Sequence, residues 1–142
     1  TDEWPGLGTS VADVLLRVHR SYLAPLREGC ERGKVKGLAH ITGGGIPGNL
    51  ARILPPNLDA RIDVRSWDPP PEFRSLAEES GAPAGEMYRV FNMGVGMVAV
   101  VDPGALEEVA GEAAEHGCEA VCCGALVEGT GRVELLGLEG GV

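Results

Sequence analysis

Three consecutive glycines, Gly43, Gly44 and Gly45, constrain this chain more than any other feature. An apolar run at residues 38–41 delivers His40 and Thr42 to them, and Pro47 follows almost at once. Glycine admits positive φ and lets backbone N–H groups approach a neighbour closely. A strand-like run entering such a triplet, with a helix-compatible stretch at residues 49–54 leaving it, predicts a strand–loop–helix unit. The N-terminus of a helix offers unpaired N–H groups and a favourable dipole to an anion. Two readings follow from the spacing: a cradle for a phosphate or similar group, or a tight strand-to-helix turn that binds nothing. Spacing does not choose between them. No Lys-Ser or Lys-Thr pair follows the glycines, so this is not a G-x-x-x-x-G-K-[ST] loop. No acidic residue ends a second strand at the distance a dinucleotide fingerprint requires.

A chain of 142 residues is long enough for one domain with a real core. Its net charge of −9 argues against a nucleic-acid partner, because a phosphate backbone needs a basic surface. One small anion held by local N–H groups and a few arginines is still compatible with that charge. No apolar run is long enough to cross a bilayer and no signal-peptide pattern opens the chain, so no membrane partner is expected. Thr1 in place of Met raises the expectation of a processed product or a piece of something longer. The cysteines, Cys30, Cys118, Cys122 and Cys123, show no C-x-x-C spacing, so no metal or redox role is expected. Cys122 and Cys123 lie in an apolar run and read as core thiols, and reduced thiols fit a cytoplasmic location.

The pattern along the chain predicts helices alternating with strands. Residues 1–8 read as a linker or extension that Trp4 docks, and residues 9–142 as a single domain. Thr9 or Ser10 caps a helix over residues 10–32, with an apolar stripe at Val11, Val14, Leu15, Val18, Tyr22 and Leu26, and with a kink or break at Pro25. Strands are expected at residues 35–42, 59–64, 93–101, 119–127 and 132–136, the third and fourth buried on both faces. Pro69, Pro70 and Pro71 open a helix whose inner face carries Phe73 and Leu76, and residues 81–83 break it. A short helical turn follows at residues 86–91. Asp102 caps a further helix with Pro103 at its first position, running to His116 and ended by Gly117. The fold class is α+β: helices layered against a mixed sheet.

Few residues present themselves for chemistry. His40 stands at a strand end beside the glycine loop, placed to hold a ligand, move a proton or hydrogen-bond the loop. His19 reads as a solvated residue in mid-helix, and His116 as a favourable charge at a helix C-terminus. Asn92 precedes a glycine at a strand start, where Asn serves as a turn residue or reaches a ligand. Glu107, Glu108, Glu112 and Glu115 form the solvated face of a helix. No Ser/His/Asp or Cys/His arrangement and no H-E-x-x-H emerges.

The segments VKGLAHITGGGIPGNLARILPPNLDARID, Trp67 to Phe73, and EMYRVFNMGVGMVAVV together carry a resemblance. They resemble the C-terminal domain of aminoimidazole ribonucleotide synthetase, also called phosphoribosylformylglycinamidine cyclo-ligase. The resemblance covers residues 12–136, and HITGGG followed by FNMG at this separation is its most specific part. The glycine loop recurs in a wider superfamily that includes formylglycinamidine ribonucleotide synthetase, thiamine-monophosphate kinase, selenophosphate synthetase and a hydrogenase maturation protein.

The resemblance implies a role in purine biosynthesis. ATP and magnesium would activate the formyl amide oxygen of formylglycinamidine ribonucleotide through an iminophosphate, and an internal nitrogen would then close the imidazole ring. It also implies that an N-terminal domain, absent from this chain, supplies most ATP and magnesium contacts and the main contacts of a homodimer. This chain would be the C-terminal half, inactive alone and holding no tightly bound cofactor. His40, Thr42, Gly43, Gly44, Gly45 and Asn49 would face the cleft. Asn92 and Gly94 would line it from the neighbouring strand, and Arg52 would support the helix or the anion.

The chain departs from the family's E-P-T-R-I-Y-V stretch, reading R-V-H-R-S-Y-L at residues 17–23. Arg20 and Tyr22 survive there, while Val18 and His19 replace Pro and Thr. It departs again at Ala125, where the family carries an acid. An alternative is therefore a divergent stand-alone module that binds a ligand or partner without catalysis. A third reading, the matching part of another synthetase or kinase of the superfamily, is disfavoured by the FNMG spacing.

Overall fold

The computed structural model describes residues 3–4 and 7–140. Helices α1 (Val11–Leu15) and α2 (Leu23–Glu31) lead into strand β1 (Val35–His40), and α3 (Gly45–Leu50) follows the glycine loop. Strand β2 (Leu58–Asp63), helices α4 (Pro71–Ser80) and α5 (Ala84–Val90) and strand β3 (Met97–Val101) come next. Helix α6 (Leu106–Glu115) and strands β4 (Gly124–Glu128) and β5 (Val133–Leu136) complete the described elements. The fold is α+β, as expected, but its strands form two sheets rather than one. β1 pairs antiparallel with β3, while β2 lies between an antiparallel β4 and a parallel β5.

The two sheets meet through the loop's own flanks. Ile41, just before the glycines, and Ile46 and Leu50, just after them, are fully buried with Ala39, Ala60, Ile62 and Val98. Burial of each of Ile41, Ile46 and Leu50 stabilises the fold by roughly 1.5–3 kcal/mol. The glycine loop is thereby clamped between β1 and α3. A second cluster, Val64, Met87, Tyr88 and Met93, gathers Phe73 and Leu76 from α4, the inner face expected of them. A third joins Leu26 of α2 to Ala105 and Val109 against the outer side of the β1–β3 pair.

The expected helix over residues 10–32 is two helices separated by residues 16–22. The middle of its stripe found no surface to cover: Leu15 and Val18 are 69% and 92% exposed, while Leu26 is buried and Tyr22 packs beside it. A helix of this length is held by burying an apolar face, and without one the pattern does not persist. Pro25 breaks nothing; it is the third residue of α2, where its missing N–H would have had no intrahelical partner. Ser10 does cap α1, its hydroxyl oxygen accepting from the Asp13 N–H at 3.0 Å. Trp4 is buried, and its N–H donates to the Thr9 carbonyl at 2.8 Å. Glu3 pairs with Ser10 in an isolated antiparallel bridge, and residues 1, 2, 5 and 6 of the expected extension lie outside the described residues.

Four further boundaries moved. α3 begins at Gly45, not residue 49, with Pro47 third in the helix. β3 begins at Met97 rather than residue 93, because Met93 (φ 50°) and Gly94 (φ 88°) form a left-handed turn. β4 begins at Gly124 and is half-exposed, since it is an edge strand paired on one side only. Cys122 accordingly is exposed rather than in the core, while Cys123 is partly buried. Asp102 makes no capping hydrogen bond; it pairs with Lys36 at 3.0 Å, and a 3-10 turn, Pro103–Ala105, precedes α6. Gly117, at φ 66°, ends α6 as expected. No helix among the described residues is long and apolar enough to cross a membrane.

Candidate functional site

The glycine loop takes its shape from both sides. β1 runs antiparallel to β3 with His40 opposite Met97, and the Ile41 N–H donates to Gly96 O at 2.9 Å. The chain then turns through Gly44 and Gly45, both at positive φ (97° and 59°). Gly45 is buried beneath α5, where a Cβ would overlap the Tyr88 carbonyl oxygen and stand 3.0 Å from that of Phe91. This glycine is required by packing, whatever the loop binds. Gly43 differs: it is exposed, without positive φ, and a Cβ there would meet open space.

The loop's N–H groups are partly engaged inside the protein. Gly44 N–H donates to Val90 O at 3.3 Å, and Gly45 N–H to Thr42 O at 3.1 Å. Asn49 is buried, and its amide donates to the carbonyls of Gly45 (2.8 Å), Thr42 (3.3 Å) and Gly43 (3.3 Å). Asn49 thus ties the loop down from beneath, away from solvent. The groups that the loop presents outward are the exposed Thr42, Gly43 and His40. Arg52 is exposed one turn beyond Asn49, its N–H on Asn49 O at 3.3 Å.

Asn92 and Gly94 build the neighbouring turn. The Asn92 Oδ1 accepts from Gly94 N–H at 3.0 Å, a local bond that Asn is suited to make in turns. It holds buried Met93 in its left-handed conformation, and Trp67 Nε1–H donates to Met93 O at 3.0 Å. A Cβ on Gly94 would collide with the Pro70 ring.

Beside this turn opens a cleft of about 960 Å³, lined among others by Arg20, Tyr22, Asp68, Gly94, Met97 and Cys118. A shallower cavity of about 620 Å³ adjoins it, with His19, Arg20, Tyr22 and His40 on its walls. The structure therefore brings Gly94 and His40 to cavities that share Arg20 and Tyr22, and leaves residues 42–45 outside the lining of both. Arg20 Nη1 donates to Gly117 O at 2.6 Å, fixing the guanidinium between the 16–22 stretch and the end of α6. Burial, followed by the nearby Cys118 thiol, raises the Tyr22 phenol above its ordinary range. Burial likewise raises the Cys123 thiol, favouring the inert neutral form.

Asp68 carried no signal of its own in the sequence, and residues 119–123 read only as part of a buried strand. Beyond the place of Tyr22 in the apolar stripe, Arg20 and Tyr22 entered only through the resemblance. His19 is exposed, as expected, but it is not in mid-helix. It lies in the stretch between helices, and its Nε2 stands 2.8 Å from that of His40. Among the described residues no group of three or more His, Cys, Asp or Glu side chains converges to hold a metal.

A strand, a glycine loop locked under a helix and an Asn-Gly turn on the partner strand together define a domain class. The chain belongs to the family described as AIR synthase related protein, C-terminal domain, whose profile matches residues 1–135. It is 39% identical over 130 residues to the phosphoribosylformylglycinamidine cyclo-ligase of Alkaliphilus metalliredigens (strain QYMF), covering 92% of this chain and 38% of that protein. It is 40% identical over 138 residues to the cyclo-ligase of Alkaliphilus oremlandii (strain OhILAs), covering 95% of this chain and 40% of the relative. The chain thus spans about two fifths of these relatives. The crystal structure of E. coli HypE, a hydrogenase maturation protein, superposes with a TM-score of 0.64 at 22% identity, over 92% of this chain and 42% of that one. That likeness concerns the fold alone.

Proposed function

We propose that this chain is the C-terminal domain of a phosphoribosylformylglycinamidine cyclo-ligase, which closes the imidazole ring of formylglycinamidine ribonucleotide in purine biosynthesis. The observation that carries the reading is the 39–40% identity to cyclo-ligases across 92–95% of the chain. ATP and magnesium belong, in this reading, to the part of the ligase that the chain does not span, along with the main dimer contacts. No carboxylate cage among the described residues suits magnesium.

What this domain contributes is binding and orientation of the phosphorylated substrate. The outward face of the loop, Thr42 and Gly43 with His40, offers a hydroxyl, a backbone N–H and an imidazole to an anionic group. Asn49 and Gly45 keep that face rigid from below, so little ordering is left for the moment of binding. Asn92 acts through the turn it holds, and Gly94 leaves the cleft floor open beside Arg20.

Calorimetric titration of the chain with formylglycinamidine ribonucleotide, with ribose 5-phosphate as control, tests this. Saturable binding that Gly43→Val weakens is the expected result, because a side chain at Gly43 obstructs the loop face without straining it. Binding unchanged in Gly43→Val overturns the loop's role. If the chain binds neither compound even with the upstream domain supplied, the reading fails in favour of a divergent module.

A further inference from the structure

His19 and His40 meet at the surface, with Nε2 atoms 2.8 Å apart, ring centroids 4.9 Å apart and ring planes at 59°. Both are exposed, so water is available to each ring nitrogen and nothing in the core forces the contact. His40 is anchored, because it ends β1 opposite Met97. His19 belongs to the stretch between α1 and α2 that has neither helix nor strand, and it packs edge-on against Tyr22. The juxtaposition does not depend on the cyclo-ligase reading.

We propose that His19 and His40 form a binding site for a divalent transition-metal ion of the zinc or nickel class, held through the two Nε2 atoms with water in the remaining positions. Neutral imidazole is a favoured ligand for these ions. Two nitrogens on a tetrahedral zinc, at bond lengths of ~2.0–2.1 Å, stand ~3.3 Å apart. The two nitrogens now face each other at hydrogen-bond distance, so admitting the ion needs a swing of the His19 ring as well as an opening on the order of half an ångström. His19, outside any regular element, can supply that movement while His40 stays fixed.

The same cavity wall holds Arg20, Arg27, Cys30 and Glu31. Arg20 is turned to the Gly117 carbonyl, and Glu31 offsets Arg27, so the wall has no large excess of positive charge. Among the described residues no third protein ligand converges, so the site is open. Magnesium, which prefers oxygen ligands, is not expected there. A bound ion would tie residue 19 to the end of β1, next to Thr42 and Gly43.

The test is calorimetric titration of the untagged, reduced chain with zinc and with magnesium, together with absorption spectra of the cobalt complex. One zinc equivalent is expected, with no magnesium uptake and a cobalt spectrum free of thiolate charge transfer. Zinc affinity should fall about tenfold or more in His19→Asn and in His40→Asn, at least the loss seen when a ligand's outer partner is removed. Both variants should stay folded by circular dichroism, since both side chains are exposed, and Cys30→Ser should bind as the parent does. Absence of zinc uptake overturns the proposal. So does undiminished affinity in either histidine variant, or a thiolate band assigning the ion to the cysteines.

Discussion

Gly45→Ala should be among the most damaging single-methyl changes in this chain. Gly45 has φ 59°, and a left-handed residue with a Cβ costs roughly 1–2 kcal/mol. The new methyl would also overlap the Tyr88 carbonyl oxygen and sit 3.0 Å from Phe91 O. Both are backbone atoms, so α3 and α5 must separate, and overpacking of this kind costs about 1–3 kcal/mol. The sum, about 2–5 kcal/mol, is a large part of the ~5–15 kcal/mol that holds a domain folded. Gly43→Ala, two residues away, is the control: open space and ordinary φ predict a change within ~0.5 kcal/mol. Urea denaturation followed by circular dichroism, with linear extrapolation, measures both. A Gly45→Ala protein within ~0.5 kcal/mol of the parent, or a Gly43→Ala protein equally damaged, would refute the assignment of packing to one glycine and presentation to the other.

Other consequences concern the loop's tether and the acid limb of stability. Asn49→Ala removes a buried donor shared by three loop carbonyls and should cost about 1–3 kcal/mol in the same denaturation assay. Trp67→Phe loses the bond to Met93 O and should loosen the Asn92 turn, seen as faster amide exchange at Gly94 and Val95. The Arg65 guanidinium, with the Arg65 N–H, holds the Asp63 carboxyl down from 3.8 to about 2. A depressed folded-state value means that the stabilisation is complete above about 3.8 and is lost as pH falls toward about 2. Asp63→Asn should flatten the stability curve in that window. Asp59, held down by the N–H groups of Arg132 and Thr130, predicts the same direction of change for Asp59→Asn.

The strand entering the glycines, the proline-led helix α4 and the Gly117 stop were legible because each depends on local chemistry: alternation, a fixed φ, a left-handed cap. The stripe over residues 10–32 is locally convincing, but Leu15, Leu16 and Val18 have no neighbouring surface to cover, and that is a tertiary fact. The loop shows the same division. Gly43, Gly44 and Gly45 look alike in sequence, yet only Gly45 meets the backbone of α5, more than forty residues downstream. Asn49 reads in sequence as a polar residue facing the cleft, but its amide donates to the loop's own carbonyls. The contact of His19 with His40 crosses from an irregular stretch to a strand end, and no periodicity could have announced it.

The account turns on whether this domain performs the C-terminal part of ring closure. The direct measurement replaces the corresponding segment of the Alkaliphilus metalliredigens cyclo-ligase with this chain and follows ATP-dependent conversion of formylglycinamidine ribonucleotide to aminoimidazole ribonucleotide. The account predicts a folded chimera that closes the ring and loses that activity in Gly43→Val. A folded chimera that binds ATP but forms no aminoimidazole ribonucleotide would contradict it.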